Sequence, residues 1–278
     1  MLNSLPYAGV VALCRRFLAG LAALAFSTTV SAAVPSDWWV NIANDRASQV
    51  QQMLTSGVDP NEFSKDGQPA IMQAIRDGAW QVYDLLVKNK KIALNGVNVN
   101  DETPLMYLAV VGETTRAKDL IQRGAQVNRL GWTPLHYAAS RGQMDMAKLL
   151  ISKQAIINAP GPDGTTPLMM AAYSGSAAMV QLLLDAGADV TTLNLQHQNA
   201  ADWARLKKHN KLGAKLDALS QKVQAQRAAI HQAGTSMPPV GSEKLSLEQS
   251  RKTAESSTSK STQDASSTSR YFDLDRFK

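Results

Sequence analysis

A twelve-residue motif that returns every 30–34 residues constrains this chain more than any other feature. Gly131-Trp-Thr-Pro-Leu-His-Tyr-Ala-Ala-Ser-Arg-Gly142 recurs 33 residues later as Gly164-Thr-Thr-Pro-Leu-Met-Met-Ala-Ala-Tyr-Ser-Gly175. Asp101-Glu-Thr-Pro-Leu-Met-Tyr-Leu-Ala-Val-Val-Gly112 lies 30 residues earlier, and Asp66-Gly67-Gln-Pro-Ala-Ile-Met-Gln-Ala-Ile-Arg-Asp-Gly78 is a degenerate copy before that. His197-Gln-Asn-Ala-Ala-Asp-Trp-Ala204 is a faded fifth copy. Each copy is followed by a second apolar segment: Leu85-Leu86, Leu120-Ile121, Leu149-Leu150, Leu183-Leu184, then Leu212, Leu216 and Leu219. Gly57-Val-Asp-Pro-Asn61, Gly124-Ala-Gln-Val-Asn128 and Gly187-Ala-Asp-Val190 close several units.

The motif has a physical reading. Thr before Pro supplies an N-cap hydroxyl, and Pro in the first turn lacks only an N–H that would be orphaned anyway. Ala138-Ala139 and Ala171-Ala172 keep the first helix thin enough for a neighbour to approach. Gly142 and Gly175 suit the left-handed residue that ends it. The Leu pairs, Leu149 and Leu183 among them, are expected to be buried against the adjoining unit. No single pair of short helices buries enough surface to stand alone, so the units must stack.

These residues resemble the ankyrin repeat family, whose pattern is a TPLHxAAxxG helix, a second helix ending in LL, and GADVN. The resemblance covers about 36–222. It implies an all-α ankyrin-repeat solenoid of stacked helix pairs with β-turn loops. Departures cluster at the ends, as capping units require: Pro69-Ala70 replaces Thr-Pro, and Lys88 to Asn95 replaces a glycine turn.

The expected organisation is a signal peptide over 1–33, an N-terminal capping half-repeat over 34–65, ankyrin repeats over 66–195, and a capping repeat with a long helix over 196–234. A disordered linker follows over 235–270, then an aromatic motif over 271–278. Arg15 and Arg16 precede the apolar run Phe17 to Phe26, and small residues follow up to Ala33, the order of a cleavable secretory signal. Cleavage fits after Ala32 or Ala33. The run is too short for a membrane span, so no membrane association is expected after cleavage. Trp38 and Trp39 are expected to lid the open end of the core. Residues 235–269 hold 16 Ser or Thr in 35 positions, a composition that cannot build a core. Tyr271-Phe-Asp-Leu-Asp-Arg-Phe277 then restores aromatics, and Tyr271, Phe272 and Phe277 form a candidate docking motif, in cis or in trans.

Composition excludes several chemistries. One cysteine, Cys14, cannot form a disulfide or a Cys-based metal site, and four histidines lack ligand-like spacing. The net charge of +6 is scattered, without the basic run of a nucleic-acid arm. No G-x-S-x-G, HExxH, GxGxxG or P-loop occurs. No catalytic residue, metal or cofactor is therefore expected. The family resemblance implies that His136 is structural, bridging backbone groups of adjacent turns. His197, His209 and His231 are explained by solvation.

The resemblance also implies a concave binding face. Its positions here are Gln73, Arg76 and Asp77; Glu102, Tyr107, Val110 and Val111; Trp132, Tyr137, Ser140 and Arg141; Thr165, Met170, Tyr173 and Ser174; and Gln198 and Trp203. Tyr107, Tyr137, Met170 and Trp203 share one register, flanked by Trp132 and Tyr173. As an exposed apolar stripe they imply a protein partner; the alternative is that they fold over neighbouring helices and add only packing. The expectation is a periplasmic, or else secreted, monomeric protein-binding module without enzymatic activity. The resemblance to exported bacterial ankyrin proteins, some associated with catalase function, implies support of an exported enzyme in oxidative-stress defence. A secreted effector acting on host proteins is the rival.

Overall fold

A computed structural model describes residues 34–234. The segments 1–33 and 235–278, with the expected signal peptide, linker and aromatic motif, lie outside the described residues.

Twelve helices among the described residues form six antiparallel pairs. These are α1 (Trp38–Ala43) with α2 (Ala47–Thr55), α3 (Ala70–Arg76) with α4 (Trp80–Leu86), and α5 (Pro104–Val111) with α6 (Thr114–Gln122). They continue with α7 (Pro134–Arg141) and α8 (Met144–Ser152), α9 (Pro167–Ser174) and α10 (Ala177–Asp185), and α11 (Ala200–Leu206) and α12 (Asn210–Gly234). Odd-numbered helices stack on one another from α1 to α11, and even-numbered helices form the second row. The N-terminal unit is a complete helix pair, where half a repeat was expected. Trp38 is buried beside the half-buried Trp39, their rings edge to face at 6.5 Å.

Local chemistry sets the helix boundaries. Thr103 and Thr166 hold extended backbone ahead of Pro104 and Pro167, and their hydroxyls accept the N–H of Met106 and Met169 at 3.4 Å. Gly112, Gly142 and Gly175 end α5, α7 and α9 in the left-handed region. At Gly175 two demands coincide. Its φ is +75°, and a Cβ there would overlap the His209 ring of the next unit. His209 is thus packed on the preceding helix end rather than merely solvated.

The core runs the length of the stack. Leu86, Leu120, Leu150 and Leu183 are fully buried, whereas Leu85, Ile121, Leu149 and Leu184 are half-buried. This corrects the expectation of full burial for Leu149. Neighbouring residues on a helix point about 100° apart, so only one of each pair faces the inner row.

Asparagines tie each unit to the next. Asn61 donates to the Lys91 carbonyl at 2.8 Å and accepts the Ala93 N–H at 2.7 Å. Asn95 does the same with Gly124 and Gln126, Asn128 with Gln154 and Ile156, and Asn158 with Gly187 and Asp189. At the end of the stack Arg227 of α12 reaches back to Thr191 at 2.7 Å and Asp189 at 3.1 Å.

Candidate functional site

The concave face is built by the inner helices α3, α5, α7, α9 and α11. The fourth residue after each N-cap falls in one column: Gln73, Tyr107, Tyr137, Met170 and Trp203. The residue before each N-cap forms a second: Gln68, Glu102, Trp132, Thr165 and Gln198. The eighth after it forms a third: Asp77, Val111, Arg141, Ser174 and Lys207.

The central part of this face is closed. Tyr107 and Tyr137 are each 1% exposed and Met170 2%, which corrects the expectation that they form an exposed stripe. For the two tyrosines the reason is a buried polar cluster around Glu102. Tyr137 donates to Glu102 Oε1 at 2.5 Å, and Asn98 Nδ2 to Glu102 Oε2 at 2.8 Å. Tyr107 donates to Gln68 Oε1 at 3.2 Å and accepts from Asn98 at 3.1 Å. Asn98 Oδ1 accepts the N–H of Asn100 at 2.9 Å and of Glu102 at 3.0 Å, folding the loop back on itself. Three units are thereby locked together. A buried carboxylate is costly unless such donors surround it.

Trp132 is also buried, against the Gly161 backbone, where a Cβ would come within 2.9 Å of its ring. Its ring meets His136 edge-on at 5.2 Å. His136 Nδ1 accepts the Thr133 N–H at 3.1 Å, so Nε2 carries the proton donated to the Thr165 carbonyl at 3.0 Å. Burial pushes the imidazole pKa down to about 4, against the opposing pull of its bond to Thr165. His136 is a neutral bridge between units.

The two ends of the face remain open. On α3, Arg76 bonds Gln73 at 2.6 Å and lies 3.5 Å from Asp77, and Gln73 also donates to Asp77; the three hold one another on a single turn. At the other end Tyr173 and Trp203 are half-buried with ring centroids 5.6 Å apart, and the Lys207 ammonium lies 4.7 Å over the Tyr173 ring. Arg141, half-buried, stands two inner helices from Lys207 in the same column. Tyr271, Phe272 and Phe277 lie outside the described residues.

This periodic scaffold is shared with known proteins. The family model for ankyrin repeats (3 copies) matches residues 39–130 and 108–194, more than half of the chain. The chain belongs to the ankyrin-repeat family. The probable E3 ubiquitin-protein ligase XBOS32 of Oryza sativa subsp. japonica is 30% identical over 153 residues. That match covers 55% of this ankyrin chain and 31% of the relative, so the chain spans about a third of the relative's length. Ankyrin repeats are protein-binding modules and are generally non-catalytic.

Among the described residues no group of three or more His, Cys, Asp or Glu could hold a metal ion, and no helix is long and apolar enough to cross a membrane. The repeat pattern does not announce every exposed side chain. The ankyrin loop tips carry exposed apolar side chains: Val99 (74%), Leu130 (93%) and Leu195 (74%). The signal available was an apolar residue three or four places ahead of the N-cap, where burial does not require one.

Proposed function

We propose that this ankyrin protein is an exported, non-enzymatic module that holds another protein on its concave face. The observation that carries this reading is the half-exposed cluster of Tyr173, Trp203 and Lys207, with Arg141 nearby. It combines aromatic area with positive charge, the composition that protein interfaces enrich. Binding at this end leaves the Glu102 cluster intact. Export rests on the order of basic, apolar and small residues in 1–33, and the periplasm is the compartment it suits best. Support of an exported enzyme, for example in oxidative-stress defence, is the role in which such a module serves; action on host proteins as a secreted effector is the alternative. Ubiquitin ligation stays with the relative that bears that name.

The exposed loop tips favour a second contact surface. Crosslinking mass spectrometry in the native compartment, comparing wild type with Trp203→Ala/Lys207→Glu and with Leu130→Asp, separates the two. Loss of the crosslinked partner only in the first variant supports the concave face, and loss only in the second moves the contact to the loops. Fractionation with intact-mass measurement tests export: a mature N-terminus at Ala33 or Val34 is expected, and retention of Met1 in the exported protein contradicts it.

A further inference from the structure

We propose that an exposed lysine stripe on α12 docks an acidic segment of the partner protein, extending the contact beyond the C-terminal end of the concave face. The inference rests on that face holding a protein, and it adds the chemistry of the partner.

The first argument is where the charge lies. Residues 34–204 hold 13 Lys or Arg against 16 Asp or Glu, a net charge of −3, whereas residues 205–227 hold 7 against 1, a net charge of +6. The end of α11 and most of α12 thus carry as much positive charge as the entire chain. Neutral residues separate these cations in the sequence, and the helix gathers them. Lys211, Lys215 and Lys222 fall within about 40° of one another around the axis, over roughly 17 Å of helix. Leu212, Leu216, Leu219 and Val223 turn instead to the core beside α11.

The second is that these cations go unanswered. Asp202 and Asp217 are taken by Arg205, and Asp189 by Arg227. Among the described residues no carboxylate pairs with Lys208, Lys211, Lys215 or Lys222, all of them exposed. Their placement does not serve the helix. Lys211 stands in the first turn of α12, which holds no acid, at the positive end of the helix dipole. Lys211 and Lys215 are one turn apart, a spacing at which like charges repel. An anionic partner offsets both effects.

The third is what surrounds the stripe. Ala214, Ala218 and Ala225 flank the lysines and are exposed, so a polypeptide can lie close. Residues 210–234 contain no Phe, Trp or Tyr to stack on a base. Ile230 is the one large apolar side chain exposed on α12, too little to hold a bilayer. Lys208 directly follows Lys207, whose ammonium covers Tyr173, so the stripe continues the Tyr173–Trp203 end of the concave face. A protein seated at that end brings its next acidic residues to α12, and opposite charges set the register of such a contact.

The test is isothermal titration of the full chain with poly-L-glutamate, an acidic polypeptide, at low salt. Lys208→Gln/Lys211→Gln/Lys215→Gln/Lys222→Gln should weaken binding roughly tenfold or more. A control, Lys88→Gln/Lys90→Gln/Lys91→Gln/Lys118→Gln, has the same net charge and should bind within about twofold of wild type. The stripe variant should melt no lower than wild type, since Gln keeps the helix and removes the repulsion. Equal weakening in both variants reduces the effect to net charge and overturns the proposal, as does unchanged affinity in the stripe variant or no binding by wild type. A lower melting temperature in the stripe variant assigns the lysines to the fold and overturns it too. Tighter stripe-dependent binding to phosphatidylglycerol vesicles or to duplex DNA than to polyglutamate overturns it in favour of a lipid or a nucleic acid. No external partner enters the assay, so the partner reading can stand if this one fails.

Discussion

The imidazole of His136 donates to the carbonyl of Thr165, 29 residues further on, at 3.0 Å, and in doing so joins α7 to the next unit. Its pKa in the fold is about 4, against about 6.5 for the free side chain. The unfolded chain therefore binds the proton first as the pH falls. Stability from this group is complete above pH 6.5 and is lost as the pH drops through 4, by about 3 kcal/mol in all. Urea melts between pH 7 and 4 should show this decline. Met106 and Met169 occupy the same place in other units, so His136→Met should fold, be less stable at pH 7, and show a flatter acid response. An unchanged slope in that variant contradicts the assignment.

Leu150→Ala and Leu183→Ala remove fully buried side chains and should each cost about 2–5 kcal/mol. Leu149→Ala should cost distinctly less, because Leu149 is half-buried. Denaturant midpoints measured in parallel rank the three.

Gly175→Ala forces a β-carbon into the left-handed region and against His209. A loss of about 1–3 kcal/mol is expected from the backbone conformation alone. Adding His209→Ala should recover the part due to overlap but not the part due to φ. Complete recovery in the double variant would show that the backbone position is unstrained.

Tyr137→Phe leaves Glu102 Oε1 without its 2.5 Å donor in a buried cluster. A loss of about 1–3 kcal/mol follows from removing one donor of a buried carboxylate. Coupled with Glu102→Gln in a double-mutant cycle, the pair should show an interaction energy; additivity of the two changes would separate them.

The parts of the fold readable in the chain were those fixed by near neighbours. Thr-Pro at 103–104, 133–134 and 166–167 and Gly at 112, 142 and 175 act within one turn, so the pattern and the structure agree there. The concave face was less legible. Whether Tyr107 and Tyr137 stand out or lie flat depends on Glu102, Asn98 and Gln68, and the Tyr137 partner is 35 residues away. No period announces a polar lock built from loop residues of two units and helix residues of the second of them and a third. The asparagines were equally silent: Asn128 is visible in its motif, but its task needs the position of Gln154 and Ile156.

The row of asparagines also has a last member. Asn61, Asn95 and Asn158 each stand eight residues ahead of an N-cap, and eight ahead of Asn199 stands Thr191. Its hydroxyl is taken by Arg227, on the same chain, so the edge that would accept another unit is already occupied. A seventh helix pair, or the first pair of another molecule, would have to pull α12 away before it could join. The single change from amide to hydroxyl, answered by an arginine, works as a stop codon written in side chains: it tells the array where to cease growing.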